Sequence, residues 1–301
     1  MKFSVWPNAG QPYRDVVDLA QWADEHGWHG LWFADHFIPH RGNPDTDPLH
    51  EVWGVLAALA VVTTRIRLGP LVCGNTYRHP AVLLKQAITV DHVSNGRVVL
   101  GIGAGWEENE HRAYGIPFFT TRERLERLDE AAQLVRGLLS PADHFSFSGR
   151  FYRAEDAPLG PRPAGPFPIL IGGGGERVTM RIAAQHADEW NVWSTPSLFR
   201  HKAAVLDAWC EKVGRDPAAI HRSSQAVLFL STDESYLARQ RAADLPFPRI
   251  VGTPAEVVDV IGEYAAAGVN EMIIPDFSLG EPSRRRETLD RFDAEVVPHF
   301  R

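Results

Sequence analysis

A chain of 301 residues with 44% apolar side chains can build a large core, and a formal charge of -7 with a pI near 6.0 leaves no broad basic field. Nucleic acid and anionic membrane are therefore excluded as expected partners, with only a local basic pocket left open. The two cysteines, Cys73 and Cys210, lie far apart and outside any Cys-x-x-Cys spacing, which points to a reducing compartment and away from structural zinc. The first residues show no charged head, apolar stretch and cleavage site, and no apolar run approaches the roughly 20 residues that span a bilayer, so the expected location is the cytoplasm.

Residues 3–6 read as a strand, and 13–26 as an amphipathic helix with Val16, Val17, Leu19, Ala20 and Ala23 recurring at three and four, closed by Gly27. Residues 30–34 form a second strand that runs into Asp35-His36. A polar loop with Gly42, Asn43, Pro44, Asp45 and Pro48 follows, long enough to cover a site. An Ala-rich helix over 51–63, a strand over 66–72 and a helix over 80–92 with proline in its first turn come next. A strand over 97–102 empties into a Gly-rich loop, 101–108, ahead of a long charged helix over 121–139. Residues 144–152 then alternate at period two around Ser148-Gly149, a hairpin inserted after the fourth helix. Beyond a Pro-rich connector the strands are 168–171, 188–193, 221–230 and 271–274, alternating with helices over 176–186, 196–213, 254–267 and 284–297.

Strands alternating with helices imply a parallel sheet, and eight such units in this length favour a closed (β/α)8 barrel, one domain over 1–301, rather than an open doubly wound sheet. Loops that follow strands then share the face where such barrels carry their active sites. Asp35-His36, the segment after Leu71, the 101–108 loop and Gly172 to Gly175 should converge there.

The apolar run Leu31-Trp32-Phe33-Ala34 stops on an acid and an imidazole, and since a core gives unpaired charge no solvation, Asp35 and His36 belong at a rim and read as catalytic. Gly172, Gly173, Gly174 and Gly175 lie between a strand and a helix, where backbone N–H groups can close on an anion, with Arg177 and Arg181 in position to add charge. Gly101-x-Gly103-x-Gly105 lacks the dinucleotide-binding spacing. Glu107-Glu108 reads either as an acid–base pair or as solvated loop carboxylates. Trp32, Trp53 and Trp106 lie near the proposed face, as core or as stacking partners for a flat ring, and Trp6, Trp53, Trp106 and Glu107 are the candidate substrate pocket. Thirteen histidines fall in no metal-binding spacing, so no metal is expected.

With Asp35-His36-Phe37, Gly74-Asn75-Thr76-Tyr77-Arg78-His79-Pro80-Ala81, Gly101-Ile102-Gly103-Ala104-Gly105-Trp106 and Ile169-Leu170-Ile171-Gly172-Gly173-Gly174-Gly175 in this order, the chain resembles the luciferase-like monooxygenase superfamily. More narrowly it is similar to the coenzyme F-420-dependent oxidoreductases. The resemblance implies a flat deazaflavin at the C-terminal mouth of the barrel, with Asp35 and His36 against its ring and a non-proline cis peptide at Leu71-Val72 behind it. It further implies that Gly74, Gly103 and Asn109 line the cofactor, that the Gly172 to Gly175 amides hold its phosphate, and that a poly-glutamate tail lies over Arg78 and His79. A homodimer paired through helices near the start of the chain is implied as well.

One departure matters. In the family's sugar-phosphate dehydrogenases a glutamate stands where this chain has Trp106, which argues against a sugar phosphate as substrate. The expected activity is hydride transfer between F-420 and a small organic molecule (an alcohol or carbonyl, an imine or an activated alkene), with His36 as acid–base and Asp35 fixing its orientation. The alternatives are a reduced-FMN-dependent monooxygenase on the same barrel and a non-catalytic flavin- or deazaflavin-binding protein.

Overall fold

The computed structural model describes every residue except 40–42, 44 and 48, so the covering-loop reading at Gly42, Pro44 and Pro48 lies outside the described residues. In chain order the first half contains β1 (Lys2–Trp6), α1 (Tyr13–Glu25), β2 (Gly30–Phe33), α2 (Val52–Val62), β3 (Arg67–Pro70), β4 (Cys73–Gly74), α3 (Pro80–Ser94), β5 (Leu100–Gly103), α4 (Glu108–Tyr114) and α5 (Thr121–Leu138). Next are β6 (His144–Ser148), β7 (Arg153–Pro158), β8 (Ile169–Gly172), α6 (Thr179–His186), β9 (Glu189–Trp193) and α7 (Pro196–Val213). The chain finishes with β10 (His221–Gln225), β11 (Val227–Leu230), α8 (Glu234–Ala242), β12 (Arg249–Gly252), α9 (Pro254–Ala266), β13 (Glu271–Pro275) and α10 (Pro282–Glu295).

Local chemistry sets the helix starts. Thr120 and Thr253 each exchange hydrogen bonds with a glutamate three residues on, and His79, Thr195 and Thr253 each precede a proline in the first turn, where a missing N–H costs nothing.

The large sheet is parallel, in the order β3-β2-β1-β13-β10-β9-β8-β5-β4. Its two ends, β3 and β4, are halves of one strand interrupted at Leu71-Val72, and a bridge from Leu68 to Val98 joins β3 to the approach of β5, closing an eight-stranded barrel. Alternation along the strands separates two apolar clusters. Trp6, Trp32, Leu71, Val99, Leu170 and Ile273 fill the interior, while Val5, Leu31, Phe33, Leu68 and Ile102 pack outwards against the helices.

The hairpin is present as antiparallel β6 and β7. The Glu130 carboxylate on α5 accepts the N–H groups of Arg150, Phe151 and Tyr152 at 2.8 to 3.1 Å, and the Phe145 ring lies where a Cβ on Gly137 would be, 1.9 Å from its nearest atom.

The sequence reading of one strand over 221–230 needs correction. The strand breaks after Gln225; β10 stays in the barrel, and β11 leaves it to pair in parallel with β12, with α8 between them. Of α8 only Leu237 is buried, so this helix carries almost no apolar stripe for a periodicity argument to find. The helix read from residue 176 likewise opens later, at Thr179, after a turn.

Candidate active site

Asp35 and His36 leave β2 in opposite directions, as successive residues of an extended segment do. Asp35 is 2% exposed and takes a two-pronged contact from Arg78 at 2.7 and 3.0 Å, together with the Gly74 N–H at 3.1 Å. Burial raises its carboxyl above the usual range, against the pull of the Arg78 guanidinium. Arg78 also reaches Glu51 at 2.6 Å. Two expectations change as a result. Asp35 bonds to Arg78 and Gly74 and does not orient His36, and the Arg78 side chain, 11% exposed, is committed beneath the mouth instead of lying open to a cofactor tail.

The residue that holds His36 is Glu110. Its Oε1 lies 2.8 Å from His36 Nδ1 and also accepts the Tyr77 hydroxyl; its Oε2 accepts the N–H groups of Phe37 at 2.6 Å and Ile38 at 3.2 Å. Burial alone would raise the Glu110 carboxyl, but the donors from His36, Tyr77 and Phe37 outweigh it and hold the group below its usual range. An ionised carboxylate only accepts, so Nδ1 carries the proton and Nε2 is the nitrogen left for a substrate.

Sequence reasoning passed over Glu110 because it follows Glu107 and Glu108 in an acidic run. The signal was in the helical phase: Glu107, Glu110 and His111 are buried at i, i+3 and i+4, and Glu108 is exposed. Glu107, expected in the substrate pocket, is buried at the N-cap of α4, where its carbonyl accepts His111 Nδ1 at 2.6 Å. Trp106 stands edge-on to His36 at 5.4 Å and is 57% exposed. Trp53, 4% exposed, belongs to the cluster between sheet and helices, and Trp6 to the interior cluster.

The floor of the mouth is the interrupted strand. Leu71-Val72 is a non-proline cis peptide, at the position expected from the sequence. Glycines let the backbone close around it: a Cβ on Gly101 would lie 2.1 Å from the Pro70 carbonyl oxygen, one on Gly103 2.6 Å from Val72 Cγ2, and one on Gly172 2.8 Å from Val72 Cγ1. Gly74 similarly lets Tyr77 approach, with a ring carbon 2.6 Å from where its Cβ would be, and Tyr77 stacks on His111 at 4.6 Å.

On the far side, Gly173 has φ 122° and donates to the Asn191 carbonyl at 2.9 Å, and Lys202 holds the Gly174 carbonyl at 2.9 Å. No acceptor among the described residues meets the N–H groups of Gly174 and Gly175, which leaves a cradle of main-chain donors suited to an oxyanion. Arg181 is engaged with Asp129 and Gln185 at 2.8 Å each and adds nothing to that cradle, while Arg177 is exposed beside it. Asn109 sits in the first turn of α4, next to Glu110, and His79 caps α3 with its ring edge-on to Tyr152 at 5.4 Å. A glycine-lined floor with an anion cradle at its rim fits a flat, phosphorylated cofactor.

At the opposite end of the barrel His29, His221 and Glu271 bring ligand-type atoms within 4.8 Å of one another. The Arg67 guanidinium stands among them, 2.8 Å from His29 Nε2 and 3.9 Å from Glu271, so a fixed cation already neutralises the buried carboxylate.

The model of the luciferase-like monooxygenase family matches residues 1–249. The chain belongs to this family. This luciferase-like protein is 30% identical to the F-420-dependent glucose-6-phosphate dehydrogenase of Kineococcus radiotolerans, over 95% of this chain and 93% of the other. Among solved structures it resembles the coenzyme F-420-dependent tetrahydromethanopterin reductase from Methanopyrus kandleri, with a TM-score of 0.83 at 20% identity over 100% and 99% of the two chains. An F-420-dependent secondary alcohol dehydrogenase in complex with an F-420–acetone adduct gives a TM-score of 0.85 at 17% identity, again over 100% and 99%. At such identities the two structures speak for the barrel, and the luciferase-like fold of this chain is the same.

Proposed function

We propose that this chain is an oxidoreductase that transfers a hydride between coenzyme F-420 and a small organic molecule, an alcohol or carbonyl, an imine or an activated alkene. The observation that carries this reading is the His36–Glu110–Tyr77 assembly set beside the Leu71-Val72 floor. Leu71, Val72 and Gly74 would lie behind the ring, Gly103 and Asn109 along the tail, and the amides of Gly174 and Gly175, with Gly172 and Gly173 shaping the turn, would take the phosphate. When bound, a deazaflavin supplies or accepts a hydride and, having carbon at ring position 5, reacts poorly with oxygen.

The protein's own task is the proton. Hydride addition to a carbonyl or imine builds negative charge on the heteroatom, and His36 as the imidazolium, its Nδ1–H held by Glu110, neutralises it by giving up the proton on Nε2. In the reverse direction bare Nε2 takes the substrate proton; in both directions Glu110 stabilises the imidazolium, and its bonds to the Phe37 and Ile38 N–H groups fix the segment that carries the imidazole. Trp106 edges the same imidazole, where a sugar-phosphate dehydrogenase would place a second carboxylate, and this supports a substrate other than a sugar phosphate.

No helix among the described residues is long and apolar enough to cross a membrane. We read the chain as one cytoplasmic barrel unit over 1–301 that pairs as a homodimer. Fluorescence titration of the purified protein with F-420 and with FMN tests the cofactor: F-420 should bind in the micromolar range or tighter. If FMN did so and F-420 did not, the reduced-FMN-dependent monooxygenase reading would replace this one.

A further inference from the structure

Four rings from four separate segments meet at the mouth and form one continuous face. Trp6 closes β1, Trp193 closes β9, Phe277 follows β13, and Phe247 lies in the loop before β12. Phe277 stands 5.3 Å from Trp6 at 67°, Trp6 5.6 Å from Trp193 at 41°, and Trp193 5.1 Å from Phe247 at 36°. Trp6 and Trp193 share the interior cluster with Leu71 and Val72, so the arc rises from the floor of the site, and its outer members Phe277 and Phe247 are 41% and 37% exposed. β1, which Trp6 closes, pairs with β2, which runs into His36, and a contiguous aromatic face at that rim is ligand-binding ground.

The arc is braced from behind. The buried Asp276 carboxylate accepts from the Asn8 N–H at 2.6 Å and the Gln11 amide at 3.2 Å and pairs with Arg285 at 3.1 Å, which ties the loop after Trp6 to the turn that carries Phe277. Ser278 donates to the Leu228 carbonyl at 2.9 Å, and the Tyr264 hydroxyl donates to the Ser194 carbonyl at 2.6 Å, next to Trp193. Such bracing lowers the ordering cost of binding. The cations on these elements are engaged elsewhere: Arg285 with Asp276 and Gln11, Arg249 with the Ala243 and Arg241 carbonyls, and Arg284 over the Tyr236 ring at 4.8 Å. Among the described residues of these elements a phosphate would find no cation set aside for it.

We infer that this arc is the subsite for the body of the substrate, and that the substrate is a neutral molecule with a flat aromatic or other apolar ring system. Its reacting carbonyl, imine or hydroxyl points toward His36 and Trp106. The assignment rests on the proposed function for the reaction, but not for the binding.

The test is tryptophan-fluorescence quenching and calorimetry of the full chain, with and without F-420, using acetophenone as neutral aromatic probe and glucose 6-phosphate as charged comparator. Acetophenone should bind saturably and glucose 6-phosphate should not. A Phe247→Ala/Phe277→Ala variant, altered at two exposed positions, should bind acetophenone roughly tenfold more weakly while F-420 affinity stays within about twofold. Phe247→Leu/Phe277→Leu keeps apolar bulk and should lose less, and it serves if the alanine pair does not fold. Preference for glucose 6-phosphate, or unchanged acetophenone affinity in a folded variant, overturns the proposal. If acetophenone binds as stated and F-420 does not, the arc stands and the cofactor reading falls.

Discussion

His36 Nδ1 and Glu110 Oε1 lie 2.8 Å apart across 74 residues of sequence, and the same carboxylate carries the Tyr77 hydroxyl and two main-chain N–H groups. One residue therefore sets both the tautomer of the imidazole and the path of the backbone that presents it. His36→Ala and His36→Asn should keep F-420 affinity within a few-fold while turnover falls about 10²- to 10⁴-fold at every pH, measured by single-turnover absorbance. Turnover that survives in a folded, cofactor-loaded variant would remove His36 from the acid–base role.

Glu110→Gln should cost both rate and stability. The new amide has a single acceptor oxygen, so its NH2 must face either the Phe37 and Ile38 N–H groups or the His36 Nδ1–H and Tyr77 hydroxyl, and each buried donor left without an acceptor costs about 1–3 kcal/mol, read by urea denaturation. Because the folded pKa of Glu110 lies below the ordinary 4.5, its ionised form stabilises the fold above that value, and this contribution is lost as pH falls through the folded pKa. Acid denaturation curves of the variant should lack that component.

Asp35 and Arg78 separate structure from catalysis. Removing the guanidinium by Arg78→Met leaves a buried carboxylate unpaired and should destabilise by roughly 3–5 kcal/mol. Asp35→Asn, which leaves the Glu110 contact to His36 in place, should reduce turnover far less than His36→Asn. Equal losses of turnover in the two variants would give Asp35 a part in the reaction.

The opposite end of the barrel should report as a pH effect on stability alone. Burial, reinforced by Arg67 and Lys2 and opposed by Glu271, lowers the His29 pKa from 6.5 to about 4. The unfolded chain therefore takes up a proton first, so the stabilising contribution of His29 is complete above 6.5 and is lost as pH falls from there towards about 4. His29→Gln should flatten the stability curve over that window without changing F-420 affinity. A variant with an unchanged slope would place the titration elsewhere.

The floor gives a coupled pair. Gly103→Ala drives a methyl into Val72 and should cost about 1–3 kcal/mol by overpacking and weaken F-420 binding. Adding Val72→Ala removes the opposing methyls and should recover part of both losses. Strict additivity in the double variant would mean that the two residues do not meet.

Local features sufficed for much of the framework. The short apolar strands, the proline in the first turn of α3, the Gly172 to Gly175 turn and the period-two hairpin around Gly149 are encoded within short windows, and eight alternations led to the barrel. The position of the cis Leu71-Val72 bond was legible through resemblance. The long 221–230 segment misled because no Gly or Pro marks a turn where polar His221–Gln225 gives way to apolar Val227–Leu230, and α8 lacks an apolar face.

Partner choice was not legible. Periodicity says which face of an element is buried, whereas Glu110 among three nearby acids, the commitment of Asp35 to Arg78, and the Trp6, Trp193, Phe247 and Phe277 arc all join segments that barrel closure alone brings together. Sequence by itself determined a luciferase-like barrel with an imidazole at its rim, because strand and helix patterns are local. Tertiary structure decided which carboxylate serves that imidazole and what surface faces it, because those contacts depend on how distant strands are ordered around the barrel.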